Sequence, residues 1–511
     1  MGCLYFSITS DDRVVGFLTD DAIYLLMAEV YSPWHAGTDS LLEFVRSQNH
    51  FPPFYPVIMG LLGVDSGNPV LASHISVCML ITGLIGVGFW VYRESGSFIT
   101  GLGIPVLIAI LPGTLIFTQG LWSEFLFICL LYAALFILSK SEITGQHWLI
   151  AALLIALCAL TRIVGVTLIA AYCLMLLIRR PRFYPYYAAV SVIPIVLWLF
   201  IGSGRVSETT YVGTLLDSLS NLNPTRIIDI ITNKVSVIYY SMSWLLSGYD
   251  KSGQHPLLIG TFLLAMLAIA IPAIIKRFKQ RKIDVYFLIL YMLVILVWPY
   301  SDTYFVSRFL FPVLPVFFLY IYLGLTILTH HKTYRIYGFC ILLILGCTVG
   351  LPMSWHIIHM ATTSVGRDLD PYRRHRSWLA SESHEDAVKN ARQTKIILTS
   401  LQELRKYIPE DECVYSAYTG LVMLHTRRIS GALPEPATTD AAFDRQTKKC
   451  RYIIALPLVD QEKTYPAFYP VKRLEHNKHY RTTPFLSKLT NFTKPALYLI
   501  ERVKQTGKNP L

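Results

Sequence analysis

Two adjacent carboxylates, Asp20 and Asp21 in the run FLTDDAIYLLMAEVY, stand just ahead of a long series of apolar, membrane-length segments. A carboxylate pair at a membrane face serves packing poorly. It suits a base that takes a proton from an acceptor hydroxyl or amine while a phosphate leaving group departs. Two neighbouring acids also push each other's pKa apart, which favours one of them as base. The plainer role is an N-cap and first-turn acid for the helix that follows, with Thr19 beside them, and both roles can coexist. Glu124, in TQGLWSEFLF, opens a crossing on the same side. An ionisable group there is a functional candidate, set against an ordinary helix N-terminal acid near water. Arg162 and Arg308 are the cationic counterparts. A guanidinium can grip a phosphate diester bidentately, the alternative being a side chain that snorkels to headgroups.

Those residues need a membrane scaffold to bring them together. Hydrophobic residues make up 53% of 511 and charged residues only 15%, with a mean hydropathy of +0.47. That balance indicates a polytopic α-helical membrane protein. Apolar runs near 69–92, 98–118, 122–139, 184–202, 256–275, 283–300, 308–330 and 334–358 are each long enough to cross a bilayer. The stretch 147–178 carries Arg162 near its middle. As one helix it would bury that charge at a cost of roughly 2.5–3.5 kcal/mol, so two short helices joined at Thr161-Arg162 are predicted. The basic residues support the split. Arg93, Lys140, Arg179, Arg180, Arg182, the cluster KRFKQRK at 276–282 and HHKTYR at 330–335 fall on one side only if 147–178 crosses twice. The positive-inside rule makes that side cytoplasmic. Ten crossings follow, dividing the chain into an outer segment 1–68, a transmembrane region 69–358 and an outer domain 359–511. The loop 203–255 also falls outside.

MGCLYFSI at the start is apolar but too short to span, and it lacks the basic flank and cleavage site of a signal peptide. An outer start is awkward to translocate, so a further helix upstream is expected. Within 1–68, DDAIYLLMAEVY and SLLEFVRS (40–47) read as amphipathic helices lying at the interface. NHFPPFYP (49–56) reads as a stiff, extended link. The region 359–511 reads as a small α/β domain: a helical pattern over 377–408, strands at 412–417, 450–457 and 496–503, and GLVMLHTRR as helix or strand. It carries 25 Lys/Arg against 16 Asp/Glu, most of the chain's surplus of +12. Such a charge suits phosphate-rich acceptors or headgroups, or simply a soluble domain near an anionic membrane.

Nine cysteines show no metal-ligand spacing. Cys413 and Cys450 lie on two predicted strands outside the cytosol, where a disulfide can form. His35, His50 and His74 match no metal motif, which favours structural or interfacial roles; His50 keeps a second reading as a substrate contact. Tyr24, Tyr55 and Trp122 fall at inferred interfaces, where aromatic belts are ordinary, and Tyr24 and Tyr55 are candidate sugar contacts.

The pieces together resemble the membrane glycosyltransferases of the GT-C class, in the group of bacterial aminoarabinose transferases and protein O-mannosyltransferases (family 39/83-like). The resemblance is carried by TDDAIYLLMAEVY, HFPPFYPVIMGLLG, QGLWSEFLFICLLYAAL, LTRIVGVTLI and SRFLFPVLPVF, in that order and on one membrane face. It implies about a dozen helices, flat-lying helices in the first outer loop and a soluble outer domain. It implies inverting transfer of a sugar from a polyprenyl-phosphate donor to a lipid, glycan or protein acceptor at the outer face of an inner (plasma) membrane, with no part for nucleic acid. Asp20 would be the base, Asp21 its partner and Glu124 a second acid near the acceptor. Arg308 and Arg162 would hold the donor phosphate. No metal ligand set is identified, and a divalent metal is left open as a cofactor. The chain departs from the family pattern in lacking a first helix and in reading Asp-Asp where Asp-Glu is common. Two other classes compete: a transporter or flippase of a lipid-linked glycan, which needs charge deep within helices, and a non-catalytic membrane scaffold.

Overall fold

A computed structural model describes residues 2–9, 14–17, 20–48, 50–140, 142–203, 224–248, 256–298, 302–329, 339–340, 350–373, 383–458, 466–469, 471–475, 477, 479–485 and 495–503. The first part holds α1 (Gly2–Thr9), α2 (Asp20–Tyr31), α3 (Asp39–Ser47) and α4 (Phe54–Leu61). The helical bundle follows with α5 (Pro69–Ser95), α6 (Phe98–Ile110), α7 (Pro112–Phe117), α8 (Ser123–Leu138), α9 (Gly145–Thr161), α10 (Val166–Arg179) and α11 (Tyr184–Ser203). It continues with α12 (Pro224–Ser247), α13 (Pro256–Lys279), α14 (Ile283–Val297), α15 (Thr303–Leu310) and α16 (Leu314–Leu328). Among the described residues, Pro69–Ser95, Gly260–Lys279 and Thr303–Leu328 are long and apolar enough to cross a membrane, and six shorter apolar helices accompany them.

The stretch 147–178 breaks where its charge argued it should. Helix α9 ends at Thr161, Arg162 is extended (φ −146°, ψ 132°), and one 3-10 turn, Ile163–Gly165, leads into α10. Gly165 is required here, because a Cβ would lie 2.8 Å from the backbone of Cys158 and Ala159.

Other expectations change. The predicted span 98–118 is two helices, since Leu111 is extended and Pro112 starts α7. The late crossing begins at Thr303, capped by the Asp302 side chain, which puts Arg308 in its second turn. The supposed loop 203–255 contains α12, whose Ser241 hydroxyl donates to the Thr303 carbonyl at 2.8 Å. Polar residues such as Asp229 and Lys234 had masked that helix as loop. Most of the predicted span 334–358 lies outside the described residues.

In the first segment α2 forms, but Asp21–Ala28 are all buried, so it is not a one-sided interfacial helix. It is packed against α4 on one side and against a helix of the C-terminal domain on another. A Cβ on Gly60 of α4 would meet the Ala28 carbonyl oxygen at 2.4 Å, so the crossing needs glycine there. Helix α3 already ends at Ser47, before the double proline, and Pro53 takes helical angles so that α4 starts at once in place of an extended link.

The C-terminal domain places α17 (His384–Leu404), α18 (Thr419–Thr426), α19 (Asp440–Gln446) and α20 (Val471–Leu474) around a five-stranded sheet. Its strands are β1 (Val414–Ser416), β2 (Ser430–Ala432), β3 (Tyr452–Ala455), β4 (Tyr480–Phe485) and β5 (Leu497–Arg502), in the order β2-β1-β3-β5-β4. β1 is parallel to β2 and β3, and β5 is antiparallel to β3 and β4. Cys413 and Cys450 are joined in a disulfide at the starts of the paired strands β1 and β3.

Candidate active site

Five distant stretches of sequence meet at one cavity: the start of α2, the Phe51-Pro52 link, the start of α8, the turn between α9 and α10, and the α14–α15 region. Asp20, Tyr24, Ser123, Arg162, Trp298, Phe305 and Arg308 are among its lining residues. The free space is about 50 Å³, roughly enough for a few waters.

The charged side chains form a chain of alternating sign. Arg308 NH1 donates to Asp20 Oδ2 at 2.9 Å, and Arg308 Nε to Glu124 Oε1 at 2.6 Å. The other oxygen of Glu124 pairs with Arg162 NH1 at 2.5 Å. Two acids and two guanidinium groups therefore balance. Side-chain exposure is 18% for Asp20, 3% for Glu124, 6% for Arg308 and 10% for Arg162, so Asp20 is the member most open to solvent. Buried ion pairs are a weak source of stability, because the lost hydration offsets the attraction, whereas removing one partner is costly. Asp20, Arg162 and Arg308 line the cavity, and Glu124, which does not, joins the two guanidinium groups.

Aromatic residues hold the cations in place. The Arg308 guanidinium lies 4.0 Å from the Trp122 ring centre, and Arg162 sits 5.1 Å from that of Phe309. Behind Trp122, the rings of Phe117, Trp244, Tyr304 and Phe311 form a contiguous cluster. Helix α12 supplies Trp244, so the unpredicted helix buttresses the site.

Ser123 is a hub that sequence reasoning passed over. Its hydroxyl lies 3.1 Å from the Tyr24 hydroxyl and accepts from Arg162 NH1 at 3.3 Å. The only signal for it was its place beside Glu124. Tyr24 lines the cavity as expected, and burial raises its phenol above the ordinary range. Tyr55 does not face the cavity. It is fully buried, its hydroxyl lies 3.3 Å from that of Ser76, and its ring packs edge-on to Tyr24 at 5.0 Å. That makes it a support for Tyr24 rather than a substrate contact.

Asp21 separates from its neighbour. It is 2% exposed, one of its oxygens accepts from the Ala22 amide, and it is not among the lining residues. One residue along a helix turns a side chain by about 100°, so two adjacent acids cannot share a cavity easily. His50 is half-buried against Phe51; burial lowers its pKa, and the Asp20 charge offsets part of that.

The histidines do not gather. His35 pairs with Asp65 at 2.8 Å, and His74 packs against Phe6. Among the described residues, no group of three His, Cys, Asp or Glu side chains could hold a metal ion. Both acids of the site are paired with guanidinium groups.

No protein-family model matches the chain, and no curated protein matches it. Among solved structures it is similar to ArnT from Cupriavidus metallidurans bound to undecaprenyl phosphate. The identity is 12% and the TM-score 0.49, over 98% of this chain and 96% of that one. It is also similar to the apo state of the same protein, at 10% identity and a TM-score of 0.48, over 98% and 95%.

Proposed function

We propose that this protein is a membrane glycosyltransferase that moves a sugar from a polyprenyl-phosphate donor to an acceptor hydroxyl or amine. The observation that carries the reading is the chain Asp20–Arg308–Glu124–Arg162, three of whose members line one cavity. A phosphate is a natural competitor for a guanidinium already held by a carboxylate. On this reading the donor phosphate takes the place of Asp20 at Arg308 NH1. Glu124 keeps its grip on Arg308 Nε, so the cation stays in position. The Asp20 carboxylate, displaced from Arg308, then faces the acceptor.

The transfer is a single inverting displacement. Asp20 accepts the proton from the acceptor, whose oxygen or nitrogen forms a bond to the anomeric carbon. The bond from that carbon to the phosphate oxygen breaks, and the polyprenyl phosphate leaves with the electron pair. Its extra negative charge develops next to Arg308 and Arg162, the groups best placed to stabilise it.

The site belongs on the non-cytoplasmic face. Helices that start near the cavity run towards basic residues: α8 to Lys140, α10 to Arg179, Arg180 and Arg182. By the positive-inside rule those ends face the cytoplasm. The disulfide of the C-terminal domain suits an oxidising compartment and the same placement. The whole is thus a multi-pass protein of the inner (plasma) membrane, with Asp20, Glu124, Arg162 and Arg308 as the working residues.

Binding of a polyprenyl phosphate to the purified protein in detergent tests the exchange. Arg308→Met is expected to weaken binding at least tenfold. Asp20→Asn is expected to bind as well as the parent or better, since it frees the guanidinium. Equal affinity in all three proteins would remove the phosphate role.

A further inference from the structure

The segment that leads into Asp20 is shared between two cores, with Val15 packed into that of the bundle. Val14 and Phe17 are buried in the core of the C-terminal domain, with Ile397, Leu401, Leu421 and Val422. Gly16 between them has φ +103°, and a Cβ there would meet Leu421 at 2.7 Å, so the strap is seated tightly on α18. Three residues after Phe17, α2 begins with Asp20. The other end of α2 is held by the same domain. Arg427, just past the end of α18, places NH1 3.3 Å from both oxygens of Glu29, and its NH2 donates to the Ser66 hydroxyl. The Ser66 amide in turn donates to Glu29 Oε2 at 3.3 Å. Between these two anchors, Met423 and Leu424 of α18 join the apolar core of the bundle.

We infer that the C-terminal domain is part of the catalytic apparatus: by clamping α2 at both ends it sets the position of the Asp20 carboxylate, with Arg427 as a positioning residue. The inference rests on Asp20 being the base, as proposed above. The joint is not sealed by packing alone. A cavity of about 440 Å³ lies in it, lined by Val15, Leu25, Ser66, Arg405, His425 and Arg427 among others. Interfaces between domains of one chain move unless they are large and apolar. Here the Arg427–Glu29–Ser66 triad has to hold what apolar contact leaves loose. An error of about 1 Å in the base is enough to slow a reaction on the order of 10²-fold.

The test uses the full chain in lipid vesicles and pairs steady-state transfer with amide hydrogen exchange over residues 21–28. Arg427→Ala and Glu29→Ala are each expected to lower kcat about tenfold with the donor KM unchanged, and to speed exchange in α2. The charge swap, Arg427→Glu with Glu29→Arg, is expected to restore both. Ser66→Ala, which removes one leg of the clamp, should give the same pattern more weakly and serves if the alanine variants fold poorly. Wild-type kcat in the single variants, or faster exchange with no change in kcat, would overturn the inference. Asp20→Asn is assayed alongside: if it retains transfer, the base assignment falls and this inference with it, whereas the exchange data still report whether the clamp exists.

Discussion

Among the described residues, a buried ion network lies at each end of α14. At the Trp298 end lies the chain of Asp20, Arg308, Glu124 and Arg162. At the other end, about 22 Å away along the helix axis, Asp284 accepts from Arg277 Nε and NH2 at 2.6 and 2.8 Å. Arg277 NH1 also donates to Glu94 at 2.9 Å, Lys282 lies 3.4 Å from Glu94, and the Tyr320 hydroxyl caps Asp284 at 2.7 Å. Both networks balance two acids against two cations. They differ in closure. The second is bidentate and capped, tying α5, α13, α14 and α16 together. The first borders a cavity and includes the comparatively open Asp20. On the proposed function, the same chemistry makes a staple at one end and the reacting site at the other, and access to a cavity distinguishes them.

Variants can separate the two. The largest effect on chemistry is expected from Arg308→Met, with transfer per folded molecule lost on the order of 10³-fold. Arg277→Met should cost stability and spare the chemistry. Breaking a buried pair costs about 3–5 kcal/mol, so thermal unfolding should shift sharply down while turnover per folded molecule changes less than about twofold. Equal losses of stability and turnover in both variants would erase the distinction.

Smaller effects sharpen it by probing the domain that rests on the site. Cys413→Ser with Cys450→Ser is expected to destabilise the C-terminal domain by about 2–4 kcal/mol, read as faster proteolysis of that domain. The weakest effect concerns His425. Burial, with Arg427 adding to it, pushes its imidazole down from 6.5 to about 4. The neutral form is therefore favoured when folded. Its contribution to stability is complete above pH 6.5 and is lost as pH falls towards 4. Thermal midpoints at pH 7 and pH 5 should differ less in His425→Gln than in the parent.

Much of the site was legible in the sequence because charge is conspicuous in apolar surroundings. Asp20, Glu124, Arg162 and Arg308 were each singled out by that contrast, and the break at Arg162 followed from the cost of burying it. Asp21 was not resolved from Asp20, since adjacency in sequence says nothing about which side of a helix faces a cavity. Tyr55 was misplaced for a related reason: an aromatic near an interface can line a site or support one, and only packing decides. Ser123 and α12 were missed because neither stands out by composition. Helix α2 read as an interfacial helix, for its apolar spacing gave no hint of a second domain covering the other side. Strands β2 and β4 were missed too. β2 is three residues long, and β4, at the sheet edge, reads YRTTPF, with polar residues and a proline in place of an apolar run.

The most direct measurement compares lipid, glycan and protein extracts from cells that make the wild-type protein or Asp20→Asn at equal membrane levels, by mass spectrometry. The account requires a hexose- or pentose-sized addition on some acceptor that is present with the wild type and absent with Asp20→Asn. The same addition in both cell lines would contradict it.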